Sequence, residues 1–219
     1  MSLLTTQSLA VGYDSALLGP IDLEFEEGQF FLIEGPNGIG KSTLLKTFIG
    51  LLEPIGGSYE WNVPKSELRF VPQTRTLDVL LPATVEDVMG TGFQRGSGWS
   101  ALRILSKSSG ANAGDIDKAL ELVGMGNFHK RLFRELSEGQ KQLVLLARAL
   151  LGDPSVILLD EPAASMDPER EQQAVDLLER QRDEFGRTVF MIAHGSQPAQ
   201  AAADRILRID RDRTVHLEK

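Results

Sequence analysis

Eight residues, Gly35-Pro-Asn-Gly-Ile-Gly-Lys41-Ser42, have the spacing G-x-x-x-x-G-K-S. The glycines let the backbone bend tightly enough to turn its N–H groups onto phosphate oxygens. Lys41 has the reach for the outer phosphates, and Ser42 offers an oxygen to Mg²⁺. Far downstream, Val156-Ile-Leu-Leu-Asp160-Glu161 is an apolar run that ends abruptly in two carboxylates. A buried strand of this kind delivers one acid to a metal and the other to an attacking water. The two strings together imply chemistry on a nucleoside triphosphate.

Those side chains need elements to hold them. Phe30-Phe-Leu-Ile33 has strand character, whereas Leu44, Leu45, Phe48, Leu51 and Leu52 recur at helical spacing. Strand, tight loop and helix start is the context a phosphate cradle requires, because the helix N-terminus adds donors and partial positive charge. Strands are expected at Leu3–Val11, Ile21–Phe25, Phe30–Ile33, Ser58–Trp61, Leu68–Val71, Val156–Asp160, Thr188–Ala193, Arg205–Ile209 and Val215–Leu217. Turns are marked by Gly19-Pro20, Glu27-Gly28, Gly56-Gly57 and the stretch from Asp210 to Arg213. The early strands follow one another without helices, which predicts an antiparallel sheet. Those after residue 150 alternate with helices and predict a parallel one.

Between Thr74 and Glu135 the patterns are helical, at Val85–Met89, Ala101–Leu105 and Ile116–Val123, with Gly/Ser-rich loops at Gly90–Gly98 and Ser106–Gly114. The fold class expected is therefore α/β. A P-loop nucleoside triphosphatase core with a parallel sheet carries an antiparallel β subdomain at its N-terminal side and an inserted α-helical subdomain. Residues 1–219 read as one nucleotide-binding domain, with 1–73 and 136–219 as the core and 74–135 as the insertion.

A chain of 219 residues can bury one good core, with a subdomain inserted in it. Its 23 Lys and Arg against 31 Asp and Glu leave a net charge of −8, and no basic stripe lines up to meet a row of phosphodiesters. Nucleic acid is not an expected partner. Without cysteine, neither a disulfide framework nor a thiolate metal site is available. The start, Met1-Ser-Leu-Leu-Thr-Thr-Gln, has no export-signal pattern, so a cytoplasmic location is expected. The richest apolar stretch, Leu143 to Leu151, is broken by Arg148 and is too short to span a bilayer. No direct membrane insertion is expected.

Leu136-Ser137-Glu138-Gly139-Gln140 opens a strongly periodic helix with Leu143, Val144, Ala147, Leu150 and Leu151 along it. Ser137 and Gln140 have the spacing of a capping box. The string also resembles the signature Leu-Ser-Gly-Gly-Gln of ATP-binding cassette (ABC) ATPases, and it precedes the paired carboxylates in the order that family has. The resemblance extends over nearly the whole chain. Val71-Pro72-Gln73 is similar to the family's glutamine loop, Asp160 and Glu161 to the end of its Walker B strand, and Ala164-Ser165-Met166-Asp167 to its D-loop. His194 resembles the switch histidine, and Gly12-Tyr13 the aromatic site that stacks on adenine. Asp167, followed by Pro168, also reads as a helix cap.

The resemblance implies an ABC transporter ATPase subunit that binds Mg²⁺ and ATP. Gly35, Pro36, Asn37, Gly38, Ile39, Gly40, Lys41, Ser42 and Thr43 would hold the nucleotide, with Tyr13 on the base. Ser137, Gly139, Gln140 and Asp167 would act on it across a dimer. Ser42, Gln73 and Asp160 would hold the metal, while Glu161, His194 and Gln73 would do the catalysis, Glu161 as base. The implied partners are a second ABC subunit, identical or a close paralogue, and integral membrane transporter subunits that keep the chain on the inner face of the cell membrane.

Phe70-Val-Pro-Gln73 with Leu77-Asp78, Leu81-Pro82-Ala-Thr-Val85-Glu-Asp-Val88 and Gly90 resembles importers of zinc, manganese and iron chelates. The membrane partner is expected to dock from about Thr74 to Trp99, with Phe93 and Trp99 as contacts. An alternative within the family is an ATPase that regulates a membrane signalling or cell-wall complex without moving solute. The chain departs from the pattern at Glu138, where the family has glycine, and at Leu143, where arginine often stands, and slow hydrolysis is expected from the added carboxylate. Met166 and Gly195-Ser196 are milder variations.

Overall fold

Residues 1–73, 83–93 and 113–218 are described by the computed structural model. An antiparallel sheet forms from β1 (Ser2–Gly12), β2 (Ala16–Ile21), β3 (Glu24–Glu26) and β5 (Gly56–Trp61). Its centre is β1, which pairs with β3 over its first half, with β2 over its second half and with β5 from Leu4 to Ala10. The larger sheet has six strands in the order β10 (Val215–Glu218), β9 (Arg205–Ile209), β4 (Phe30–Glu34), β8 (Thr188–Ile192), β7 (Val156–Asp160) and β6 (Leu68–Val71). All are parallel except β10. The helices are α1 (Lys41–Phe48), α2 (Val85–Gly90), α3 (Ala113–Leu122), α4 (Glu138–Ala149), α5 (Pro168–Phe185) and α6 (Gln197–Ala202). The expected combination of a parallel core and an antiparallel sheet is present, with β10 making the larger sheet mixed at one edge.

Three expectations change. The strand expected at Ile21–Phe25 takes in the end of β2 and the first two residues of β3. Between them Asp22 Oδ1 accepts from Ser8 N at 2.6 Å, Leu23 N donates to Thr6 Oγ1 at 2.9 Å, and Thr6 N donates to Leu23 O at 2.9 Å, so side chains interrupt the regular ladder there. Gly56-Gly57 is not a turn but opens β5, and Gly19-Pro20 likewise lies inside β2. Gly19, with φ of 123°, lets that backbone press on β1, where an added Cβ would come within 2.5 Å of Leu9 O. The helical expectations Val85–Met89 and Ile116–Val123 correspond to α2 and α3. Ala101–Leu105, most of both Gly/Ser-rich stretches, Leu77-Asp78, Leu81-Pro82 and Trp99 lie outside the described residues.

The parallel strands are apolar throughout because both of their faces are covered. Phe31, Ile33, Val156, Leu158, Phe190 and Ile192 join one buried cluster with Leu44, Leu45 and Phe48 of α1 and with the antiparallel sheet. Alternate residues Phe30, Leu32, Val71, Ile157, Leu159, Val189 and Met191 join the other, with Val144 and Leu145 of α4 and Val175 and Leu178 of α5. Aromatic rings fasten the first layer. Phe31 stacks on Phe190 at 4.7 Å, and Phe25 of β3 meets Phe31 edge-on at 5.2 Å. Trp61 of β5 donates from Nε1 to Phe48 O at 2.7 Å. Such ring pairs add about 0.5–1.5 kcal/mol each beyond the area they bury.

The start of β4, which leads into the glycine-rich loop, is anchored by one carboxylate. Asp204 Oδ2 accepts from Phe30 N at 2.8 Å and from Arg182 Nη1 at 3.0 Å, and the same Nη1 donates to Ala202 O at 2.7 Å. Phe30 is fully buried, so its N–H has no water to fall back on. Asp204→Ala is expected to cost about 1–3 kcal/mol, the penalty of a buried donor left unmade. In urea denaturation the midpoint falls and the slope m stays unchanged.

Candidate nucleotide-binding site

Strand register brings the candidate residues together. Val71 pairs with Leu159, Leu159 with Met191, and Met191 with Leu32, so β6, β7, β8 and β4 end at one level. The segments leaving those ends carry Gln73, Glu161, His194 and the Gly35–Ser42 loop respectively. The crevice at the carboxyl ends of parallel strands is where open α/β sheets bind ligands.

Glycine is required in the loop for space as well as for conformation. Gly35 has φ of 154°, and a Cβ there would sit 2.6 Å from Ile209 O. Gly40, with φ of 120°, lies against Leu18 of β2, 3.0 Å from where its Cβ would stand. Pro36, Asn37 and Gly38 are exposed, Ile39 is half-buried and Thr43 is buried. The first turn of α1 has neither a side-chain cap nor an acid, which leaves its amides to an anion. Lys41 is only 5% exposed, and its Nζ donates to Gly35 O and Pro36 O, each at 2.8 Å. Burial lowers its pKa, opposed by the carboxylates of Glu161 and Asp160.

Ser42 Oγ donates to Asp160 Oδ1 at 2.8 Å, so two of the expected metal ligands are in direct contact. Asp160 is 5% exposed. Burial pushes its carboxyl above the ordinary value; the Ser42 bond and the charges of Lys46 and Lys41 pull it down, and Glu161 adds to the rise. Among the described residues no three His, Cys, Asp or Glu side chains form a metal cage. A hydroxyl beside a buried carboxylate short of positive charge instead fits a hard cation such as Mg²⁺, which takes one or two carboxylates and completes its shell with phosphate and water.

Glu161 follows β7 with φ of 50°, a left-handed conformation that few glutamates adopt. Gln73 Nε2 donates to its Oε2 at 2.7 Å, and His194 Nε2 lies 3.4 Å from its Oε1. Gln73 and Glu161, 88 positions apart in sequence, thus meet beside the phosphate loop. Tyr13, 59% exposed, stands in the turn between β1 and β2, on the hairpin whose Leu18 touches Gly40.

Ser137, Gly139, Gln140 and Asp167 form a second group with bonds of its own. Ser137 caps α4: its Oγ accepts from Gln140 N at 3.3 Å, while Gln140 Oε1 accepts from Ser137 N at 3.0 Å. Asp167 caps α5 by accepting from Arg170 N at 3.0 Å. Where Gly139 has no Cβ, Ser165 O and Arg170 Nη1 come within 3.3 and 3.8 Å. A run of turns, Ala164 N to Glu161 O and Met166 N to Ala163 O, links this group back to Glu161. Sequence reading missed two cations, Lys46 and Arg170. The available signal was spacing: Lys46 lies four residues after Ser42 on one helical face, and Arg170 three after Asp167.

Residues 18–164 match the family model described as ABC transporter. The zinc import ATP-binding protein ZnuC of Photorhabdus laumondii is 34% identical over 207 residues, 94% of this chain and 74% of that protein. The high-affinity zinc uptake system ATP-binding protein ZnuC of Bacillus subtilis is 28% identical over 218 residues, 96% of this chain and 92% of that protein. A dimeric bacterial ABC transporter cassette superposes with a TM-score of 0.80 at 26% identity, covering 99% of this chain and 98% of that one. A metal-chelate type ABC transporter in an inward-facing conformation gives a TM-score of 0.81 at 24% identity, over 100% of this chain and 84% of that one, which speaks to the fold. No described helix is long and apolar enough to cross a membrane. With a phosphate loop, an acid pair at the end of β7 and a capped signature-like helix on a sheet shared with those cassettes, the chain belongs to the ABC transporter family, as an ATP-hydrolysing subunit.

Proposed function

We propose that this subunit powers import of a metal ion or metal chelate, working as a pair of cassettes beneath integral membrane subunits on the inner face of the cell membrane. Relatives named for zinc import support the substrate class. In this reading residues 1–73 and 136–219 are the nucleotide-binding core and 74–135 the helical insertion. The observation that carries the catalytic part is the grip on Glu161 by Gln73 and His194, beside the Ser42–Asp160 pair.

Each residue's task follows from its charge and reach. The Gly35–Gly40 backbone, the bare first turn of α1 and Thr43 wrap the phosphates, and Lys41 neutralises their outer oxygens. Tyr13 offers a flat apolar face to the base. Ser42, Asp160 and Gln73 would hold Mg²⁺, which when bound draws charge from the β- and γ-oxygens. Glu161 takes the proton of the attacking water, and His194 orients that water and the γ-phosphate. From the second copy, Ser137, Gly139 and Gln140 present the start of α4 to the γ-phosphate, with Asp167 at the seam.

Glu161→Gln preserves the shape of the grip and removes the base. It should bind ATP as the parent does and hydrolyse it roughly 10²–10⁴ times more slowly, the usual contribution of a positioned base. Equilibrium ATP binding read beside single-turnover hydrolysis tests this, and equal turnover would refute the assignment.

Asp160 yields a second prediction, on stability. Its carboxyl binds a proton more tightly folded than unfolded, so ionising it works against the fold as pH rises from the ordinary value of 3.8 through the raised one. Asn at 160 keeps an oxygen for Ser42 and carries no charge. Asp160→Asn should therefore raise the Tm of nucleotide-free protein near pH 7. The gain should vanish below about pH 4. Stabilisation by added Mg²⁺ with ATP should shrink in the same variant.

A further inference from the structure

Glu138 stands in the first turn of α4, between Ser137 and Gly139. Its side chain is 48% exposed, and Lys141, one turn on and 19% exposed, holds Oε1 at 2.7 Å. For the helix alone this is a favourable place, since a carboxylate near the N-terminus complements the positive end of the macrodipole. In the proposed dimer, however, that same end must receive the γ-phosphate of nucleotide bound by the other copy. One partial positive charge then faces two anions. The first turn of α1, which addresses phosphates within its own copy, carries no acid.

We propose that Glu138 and Lys141 form a charge pair that sets how tightly the second copy's nucleotide is captured. Glu138 opposes the incoming phosphate, and Lys141 limits that opposition by holding the carboxylate to its own side and offsetting part of its charge. Closure of the pair of cassettes is thereby weaker than a neutral residue at 138 would make it, and more sensitive to salt, because the opposition lies at a partly exposed surface. This inference rests on the reading that the start of α4 meets nucleotide held by a second copy.

The experiment uses the full chain with Glu161→Gln, so that ATP persists, and follows the monomer–dimer equilibrium by sedimentation as ATP and Mg²⁺ are added. Adding Glu138→Gln, which keeps size and polarity but removes the charge, should tighten the ATP-dependent dimer about tenfold in low salt and less at high salt. Adding Lys141→Met instead should loosen it several-fold. A Glu138→Gln dimer within twofold of its parent, or a Lys141→Met dimer tighter than its parent, would overturn the charge pair while leaving the dimer reading intact. A Glu161→Gln chain that binds ATP yet stays monomeric would overturn both. Melting of the nucleotide-free chain supplies the remaining control: a purely structural Glu138 lowers Tm when neutralised and leaves the dimer constant unmoved.

Discussion

Everything at the site depends on the parallel register of β6, β7, β8 and β4. Backbone hydrogen bonds align Val71, Leu159, Met191 and Leu32, and four chain segments leave the sheet at one edge as a result. A slip of one residue in a parallel strand would exchange its two faces. Here both faces are packed, so a slip would drive Phe31 and Phe190 out of the aromatic layer and Leu32 and Met191 out of the helical one. The cost of repacking two cores keeps Gln73, Glu161 and His194 in step.

The site itself works against that stable frame. Asp160 is ionisable and buried, Lys41 is a cation at 5% exposure, and Glu161 adopts a backbone conformation that favours glycine. Each departure is a local cost at a point where charge or geometry is needed for chemistry. The surroundings absorb it through short, specific bonds: Ser42 to Asp160, Lys41 to two carbonyls and Gln73 to Glu161.

Much of this was legible in the sequence because its causes are local. A phosphate loop needs particular backbone freedom at Gly35 and Gly40, and a doubly covered strand must be apolar from Val156 to Leu159. The misses have non-local causes. Ile21–Phe25 reads as one strand, but Thr6 and Ser8, more than a dozen residues earlier, bond to Leu23 and Asp22 and divide it. The periodicity of α4 suggests one apolar face, whereas Gln142, Val144, Leu145, Leu146, Ala147 and Ala149 are all buried, because α2, α3 and β6 pack around the helix. Lys46 and Arg170 can be picked out by their spacing from Ser42 and Asp167, but the groups they meet, Asp160 and Gly139, arrive from elsewhere in the sequence.

The enclosure of α4 has a consequence for how such a helix can evolve. Its first turn displays Ser137 and Glu138, and near its last turn Arg148 Nε donates to Thr91 Oγ1 at 2.7 Å. These two ends are joined by a straight rod some 18 Å long, given a rise of 1.5 Å for each of its 12 residues. Inserting or deleting a single residue would turn one end against the other by about 100°. A half-buried side chain on the rod, such as Leu143, is therefore more open to exchange than the rod's length: descent with modification here is easier by replacement than by insertion or deletion.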